Sequence, residues 1–334
     1  MAWEDVKDIL RPRNVHMGKM AVDAEKCKGC GLCVFNCVTR AWEMGENDVP
    51  HLKENYNCLS CYNCMVACPE GAISLIEPYH VDDGFWKTLP HPIPAIPPKA
   101  PLDAEGNPTG YTAVEKAILE RRSVRNYKNK PVPDTLIRRV IEAGRFAPSS
   151  GNCQPWKFIV ITDKAMIDEM DVLITETVAG MHNMYMHDEM VKAFEPMVAG
   201  NPTPPADPRM MIGGFGPVAR REVLPSLGAP AVIMIAGDMR SIGGPLLQVG
   251  ICGQNMCLAA NSMGIRSCWV GFYAFLEQSP EIKKKLGLEP PWTIISSVVL
   301  GYPKFNQDGM VAREYRPVTW FRKGWDSPEI ETGQ

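Results

Sequence analysis

Apolar and polar positions along the second two-thirds of the chain alternate at two periods. Thr112 and Glu115 form a T-x-x-E capping pattern around Val114, Ile118 and Leu119, which predicts a capped helix. Leu136, Ile137, Val140 and Ile141 recur at helical spacing after Asp134 and stop at Gly144, which predicts a second helix. Short apolar runs at 158–161, 231–236 and 294–300 predict buried strands, and 249–263 predicts a mostly buried helix. Between 164 and 228, helix-forming stretches mix with Pro and Gly. From about residue 110 onward the pattern is that of an α/β or α+β domain.

The first third reads differently. Residues 1–77 carry a cysteine cluster. Residues 78–110 follow, with eight prolines (78, 90, 92, 94, 97, 98, 101 and 108), and predict a semi-rigid extended linker ahead of a domain at 111–334. A length of 334 residues suits about two domains at roughly 150 residues each. Lys plus Arg number 35 and Asp plus Glu 38, so no basic excess points to nucleic acid or an anionic membrane surface. No apolar run approaches the ~20 residues of a membrane span. The acidic start, Met1-Ala2-Trp3-Glu4-Asp5, lacks the regions of a signal peptide, so a cytoplasmic location is expected. Residues 1–80 hold 8 basic and 11 acidic side chains, a net of −3 that leaves the remainder neutral. That acidic balance is either chance or a docking surface for a redox partner.

Eight of the twelve cysteines lie between Cys27 and Cys68. Clustered thiols in a reducing compartment point to metal. Cys27, Cys30, Cys33 and Cys37 have the spacing C-x2-C-x2-C-x3-C. Cys58, Cys61, Cys64 and Cys68 repeat it, with Pro69 after the last. In such a run three thiolates surround one cubane face and the fourth reaches the neighbouring cluster. One [4Fe-4S] cluster is therefore expected on Cys27, Cys30, Cys33 and Cys68, and a second on Cys58, Cys61, Cys64 and Cys37. Structural zinc is the competing reading, against which the doubled run of four counts. Over roughly residues 17–77 the segment resembles the bacterial two-cluster ferredoxins, through Lys28-Gly29-Cys30-Gly31 and Cys68-Pro69-Glu70-Gly71-Ala72-Ile73. It departs from them at Val38, which stands where a proline would follow Cys37. The resemblance implies one-electron transfer at low potential.

A second chemistry is marked by Arg121-Arg122-Ser123-Val124-Arg125, three guanidiniums and a hydroxyl that suit a phosphate, although a basic helix end is also an ordinary solvated cap. Further on, 147–158 reads A-P-S-S-G-N-C-Q-P-W-K-F, a polar turn running into a strand, with hydroxyl and amide groups able to read a heterocycle edge. With these motifs, and with 264–271 and 300–303, the chain from about 112 to 320 resembles the FMN-dependent nitroreductase family. The resemblance implies an intertwined homodimer with a mixed sheet flanked by helices and FMN at the interface. The whole is thus an α+β chain, a ferredoxin-like domain followed by a nitroreductase-like one. By motif, Arg121, Ser123 and Arg125 would hold the flavin phosphate with Arg122 beside them, assisted by Arg316 or, as second choice, Arg313. Ser149, Ser150 and Asn152 would approach the isoalloxazine from the partner subunit, and Trp269, Val270 and Gly271 would line its N5 side. Gln154 and Trp156 read as structural, and Cys153 as small packing.

Residues 172–228 match no part of that family and form an insertion rich in methionine: Met181, Met184, Met186, Met190, Met197, Met210 and Met211. They are either core methionine or an adaptable lid over the flavin. No catalytic residue is assigned; His182, Tyr185 and His187 are weak candidates for proton donation. No G-x-S-x-G, Walker, H-E-x-x-H or G-x-G-x-x-G signature occurs. The expected function is an iron–sulfur flavoprotein oxidoreductase carrying electrons from a low-potential donor, reduced ferredoxin before NAD(P)H, through two clusters to FMN and then to a nitroaromatic, a quinone or an activated double bond. A reductive dehalogenase-type relative and a non-enzymatic electron carrier or redox sensor are the alternatives.

Overall fold

The computed structural model describes residues 3–88, 100–198, 207–307, 309–313 and 316–331. Five of the linker prolines and residues 199–206 of the insertion lie outside the described residues. The chain opens with helix α1 (Trp3–Leu10) and strands β1 (Val15–His16) and β2 (Lys19–Val22). Then come α2 (Leu32–Asn36), β3 (Trp42–Met44), β4 (Pro50–Leu52), α3 (Asn63–Ala67), β5 (Ile73–Glu77) and β6 (His80–Val81). β2 pairs antiparallel with β5, β3 with β4, and β1 with β6. The small core beneath them holds Met20, Trp42, Tyr62 and Ile73.

The sequence repeat is also a backbone repeat. Gly29 and Gly31 adopt left-handed φ of 66° and 67°, and their counterparts Ser60 and Tyr62 adopt 54° and 56°. These turns fold each C-x2-C-x2-C run back on itself before a single turn of helix. The fourth cysteine of each run then accepts a backbone N–H four residues on, Ala41 N to Cys37 Sγ at 3.2 Å and Ala72 N to Cys68 Sγ at 3.3 Å.

The larger part contains α4 (Ala113–Glu120), α5 (Asp134–Arg145), β7 (Trp156–Ile161) and the long α6 (Lys164–Met186). Short helices α7 (Asp188–Val191), α8 (Glu195–Val198) and α9 (Phe215–Ala219) lead to β8 (Ala231–Asp238) and α10 (Pro245–Ser262). β9 (Arg266–Val270), α11 (Pro280–Lys285), β10 (Trp292–Gly301) and a hairpin of β11 (Val318–Trp320) and β12 (Glu329–Glu331) complete it. The main sheet has the order β7-β8-β10-β9, antiparallel throughout, and a parallel bridge from Ser123 to Ser267 extends it. Strand alternation sends Val232, Met234 and Ala236 into a core with α6. Ala231, Ile233 and Ile235 enter a second core with α5 and α10. Burial on both faces is the reason β8 reads as an unbroken apolar run. The expected capping box is present: Glu115 N donates to Thr112 Oγ1 and Thr112 N to Glu115 Oε2. Yet α4 buries none of its residues, and Val114 is 67% exposed.

Two expectations change. First, α1 does not belong to the small domain: Val6, Ile9 and Leu10 pack in the larger core with Tyr185, Phe194 and Val198. Second, the expected linker begins with an ordered strand, β6, and Ala312 from the far end of the chain enters the small core. The methionines of the insertion divide between the two readings: Met211 is buried and Met181 and Met184 pack against the core, whereas Met186, Met190, Met197 and Met210 are exposed, Met210 at the cavity.

Candidate functional site

The fourth cysteine of each run is folded towards the other run. Cys33 faces Cys30 and Cys68, whereas Cys64 faces Cys61, Cys58 and Cys37. Burial pushes the Cys33 and Cys58 thiols up to about 11 and Cys64 well above the usual 9.0, with the neighbouring thiols adding to the rise. Buried sulfurs converging in this way can carry thiolate charge only against a bound cation.

The two parts of the chain meet along a polar seam. Asn126 Nδ2 donates to Phe35 O at 3.3 Å, Arg40 Nη2 to Glu222 O at 3.1 Å, and Gln307 Nε2 to Asn36 Oδ1. Beside this seam opens a cavity of about 390 Å3. Val38 and Leu59 from the cysteine loops form one wall, Met210 to Leu227 of the insertion another, and 268–272 with Phe275 a third; Arg125 is the one charged side chain among the described lining residues. The 121–127 segment is held by Val124 N donating to Ser267 O at 3.0 Å and Tyr127 Oη donating to Val124 O at 2.6 Å. Arg125 Nη1 lies 3.4 Å from Ser123 O. Arg122 is buried, and Arg121 Nε is buried with no hydrogen-bond partner among the described residues.

Trp269, Val270 and Gly271 line the cavity. Trp269 turns its indole against α10 at Gly253, where a Cβ would stand 1.8 Å from the ring. Ser149, Ser150 and Asn152 do not reach this cavity. Their turn is fastened to the start of α10: Ser150 N donates to Gln248 Oε1 at 3.0 Å, and Ser149 Oγ accepts from Gln154 N at 3.0 Å. Trp156 is buried beneath β8. Cys153 is exposed, its Sγ 3.4 Å from Gln248 Oε1, so it does not pack.

The basic residues near the C-terminus lie elsewhere. Arg316 lines a separate hollow with Tyr79, Trp86, Asp207 and Arg209, and Arg313 is exposed, donating to Ala312 O. Both attach to the small-domain side of the seam because the chain after β10 crosses over to it. The proton-donor candidates are likewise displaced. Tyr185 Oη donates to Leu10 O at 2.6 Å and anchors α1. His187 is exposed and bonds Asn183. His182 packs beside Gly216, and burial together with the Arg220 guanidinium lowers its pKa below the ordinary 6.5. None of the three lines the cavity. Residues missed by sequence reading are its apolar walls, notably Val38, Leu59, Phe215 and Phe275. Val38 was visible only as a departure from the ferredoxin pattern.

A protein with two clustered-cysteine loops opening onto a cavity with an arginine and a strand end has the makings of an iron–sulfur oxidoreductase. The model of the nitroreductase family matches residues 118–302, and that of the 4Fe-4S dicluster domain matches residues 19–73. The chain belongs to the nitroreductase family and carries a 4Fe-4S dicluster domain ahead of the family's fold. A "Putative NADH dehydrogenase/NAD(P)H nitroreductase" of Archaeoglobus fulgidus is 28% identical over 215 residues, covering 63% of this chain and 97% of that protein. An "NADH dehydrogenase" of Thermus thermophilus is 49% identical over 49 residues, 15% of this chain and 24% of that one. A crystal structure of a nitroreductase with bound FMN from Desulfitobacterium hafniense is similar at 26% identity and a TM-score of 0.44, over 60% of this chain and 94% of that one. Among the described residues no helix is long and apolar enough to cross a membrane.

Proposed function

We propose that this chain is an FMN-dependent oxidoreductase that takes electrons from a low-potential donor such as reduced ferredoxin, through two [4Fe-4S] clusters, to an oxidised organic substrate: a nitroaromatic, a quinone or an activated double bond. The single observation that carries the reading is the shared cavity. Val38 follows Cys37 and Leu59 follows Cys58, and both line the same cavity as Arg125 and 269–271. Cys58, Cys61, Cys64 and Cys37 would therefore hold the inner cluster, and Cys27, Cys30, Cys33 and Cys68 the outer one. This route lies within a single chain.

The residues present suit FMN. The cavity volume falls in the range of about 300–1,000 Å3 of ordinary ligand pockets. Arg125, in the cavity wall, offers charge-assisted donors for a phosphate, whereas Arg121, whose buried Nε has no hydrogen-bond partner among the described residues, does not line that cavity. Bound there, FMN supplies two-electron chemistry to the substrate. Phe215, Phe272 and Phe275 exclude water and favour a flat apolar substrate. A homodimer is supported by the unpaired apolar positions Val114 on α4 and Leu246 and Leu247 on α10, and by the Ser149–Ser150–Asn152 turn, which would complete a partner's cavity.

Anaerobically purified protein should hold about eight iron and eight acid-labile sulfide per chain. Cys61→Ser should abolish flavin reduction by reduced ferredoxin while sparing reduction by dithionite. Ferredoxin-driven turnover at the wild-type rate in a variant lacking the inner cluster would refute the route.

A further inference from the structure

A second cluster of ligating side chains lies at the edge of the small domain, outside the two cysteine runs and the cavity lining. β1 and β6 pair so that His16 stands opposite His80. Strand alternation puts His80 and Asp82 on one face, and the register brings His16 to the same face. His16 lies 64 and 66 positions from His80 and Asp82 along the chain, so only the pairing brings it to them. The two imidazoles stack at 4.3 Å between centroids with 3° between planes. His16 Nε2 lies 2.9 Å from Asp82 Oδ2, and His80 Nε2 lies 3.4 Å from Asp82 Oδ1 and 3.7 Å from Glu77 Oε1. The ligand atoms of His16, His80 and Asp82 all fall within 4.8 Å of one another.

The tautomer of His80 is set by its other nitrogen. Nδ1 sits 3.1 Å from Pro78 O, a carbonyl that can only accept, so Nδ1 carries the hydrogen. With Nδ1 so engaged, Nε2 is the ring nitrogen that faces the carboxylate oxygens of Asp82 and Glu77, the position from which a neutral imidazole ligates a cation. Anchoring the far ring nitrogen to a backbone carbonyl is also how metal-ligating histidines are ordinarily oriented.

We propose that His16, His80 and Asp82 form a binding site for one divalent transition-metal cation of the zinc type, with the fourth position left to water. Bonds of about 2.0–2.1 Å in a tetrahedral shell put donors roughly 3.3 Å apart; the His16–Asp82 and His80–Asp82 spacings of 2.9 and 3.4 Å bracket that value, and small side-chain rotations close the rest of the 4.8 Å spread. Two imidazoles with carboxylate select zinc, nickel or copper over magnesium or calcium. The ion would clasp β1, which leads in from α1 on the large core, to β6 at the start of the proline-rich stretch, and so close the ends of the small domain on each other.

The test is equilibrium dialysis of anaerobically purified holoprotein, both clusters assembled so that their eight cysteines are occupied, against zinc chloride in excess magnesium. Wild type should bind one zinc per chain without loss of iron. His16→Gln and His80→Gln should each weaken that binding tenfold or more. Should either variant lose its clusters, Asp82→Asn, at an exposed position, carries the comparison. Equal zinc binding by wild type and variants, or none by wild type above the His16→Gln/His80→Gln double variant, overturns the proposal.

Discussion

Gly213 offers a direct probe of the contact between the cysteine loops and the cavity. It sits in the π-helical turn Arg209–Gly214, and a Cβ there would stand 2.6, 2.8 and 2.9 Å from Cδ2, Cδ1 and Cγ of Leu59. Relaxed carbon contacts lie at about 3.5–4.0 Å, so Gly213→Ala creates an overlap of roughly 1 Å with three atoms of one side chain. Leu59 can escape by rotating only into the cavity or by opening the seam. Overpacking of this kind costs about 1–3 kcal/mol, whereas alanine in a helical turn returns about 1 kcal/mol over glycine. The steric cost therefore prevails over most of that range. Gly214 is the internal control, because its Cβ would meet only Met210 Cγ at 3.9 Å, an ordinary contact. Gly214→Ala should be neutral or stabilising by up to ~1 kcal/mol, leaving a gap of about 1–3 kcal/mol between the two variants. Urea unfolding of the anaerobic holoprotein measures it. Leu59→Ala removes all three opposing atoms, so the penalty of Gly213→Ala should vanish in that background. If Gly213→Ala behaves like Gly214→Ala, or its cost persists without the Leu59 side chain, the loop does not abut the cavity wall and the electron route loses its footing.

Other outcomes follow from single groups. Arg125→Ala removes a charge-assisted donor worth about 1.5–3 kcal/mol, so flavin affinity should fall roughly ten- to a hundredfold with iron content unchanged; fluorescence titration with FMN reads this, and unchanged affinity would place the phosphate elsewhere. Asp171 on α6 is buried and accepts from Ser226 N at 2.8 Å, and burial raises its pKa above the ordinary 3.8 despite that bond. The native state then holds the proton more tightly than the unfolded chain. Its contribution favours folding below pH 3.8 and is lost as pH rises through the raised native pKa. Asp171→Asn should flatten the fall in urea midpoint across that window, and an unaltered slope would show that the carboxyl is not buried. His182→Gln should change turnover by less than about twofold, because removal of a group outside the cavity leaves the transition-state contacts in place; a larger drop in kcat would return it to the site.

What the chain determined locally was legible in its order of residues. The C-x2-C-x2-C-x3-C spacing is a statement about neighbours, and the left-handed turns at Gly31 and Tyr62 realise it within a few residues. The Thr112–Glu115 cap and the apolar run of β8 are local in the same sense: a cap needs one turn, and a strand buried on both faces reads as a nearly continuous apolar run. Contacts between distant segments leave no such trace. Helix α1 reads as part of the cysteine domain, yet its apolar face finds a larger core, because burial area rather than chain order decides where an amphipathic helix docks. Arg316 fits a phosphate-binding pattern, but the path taken after β10 carries it to the hollow beside Tyr79. Val38 and Leu59 are ordinary aliphatic residues until folding brings them into one cavity with Arg125. His16 and His80 lie in unrelated stretches until antiparallel register stacks them. The cysteine spacing determined which groups could be held, and the tertiary structure decided which wall, which cluster and which chain ends would face each other, because those meetings depend on packing between surfaces that no short window of sequence contains.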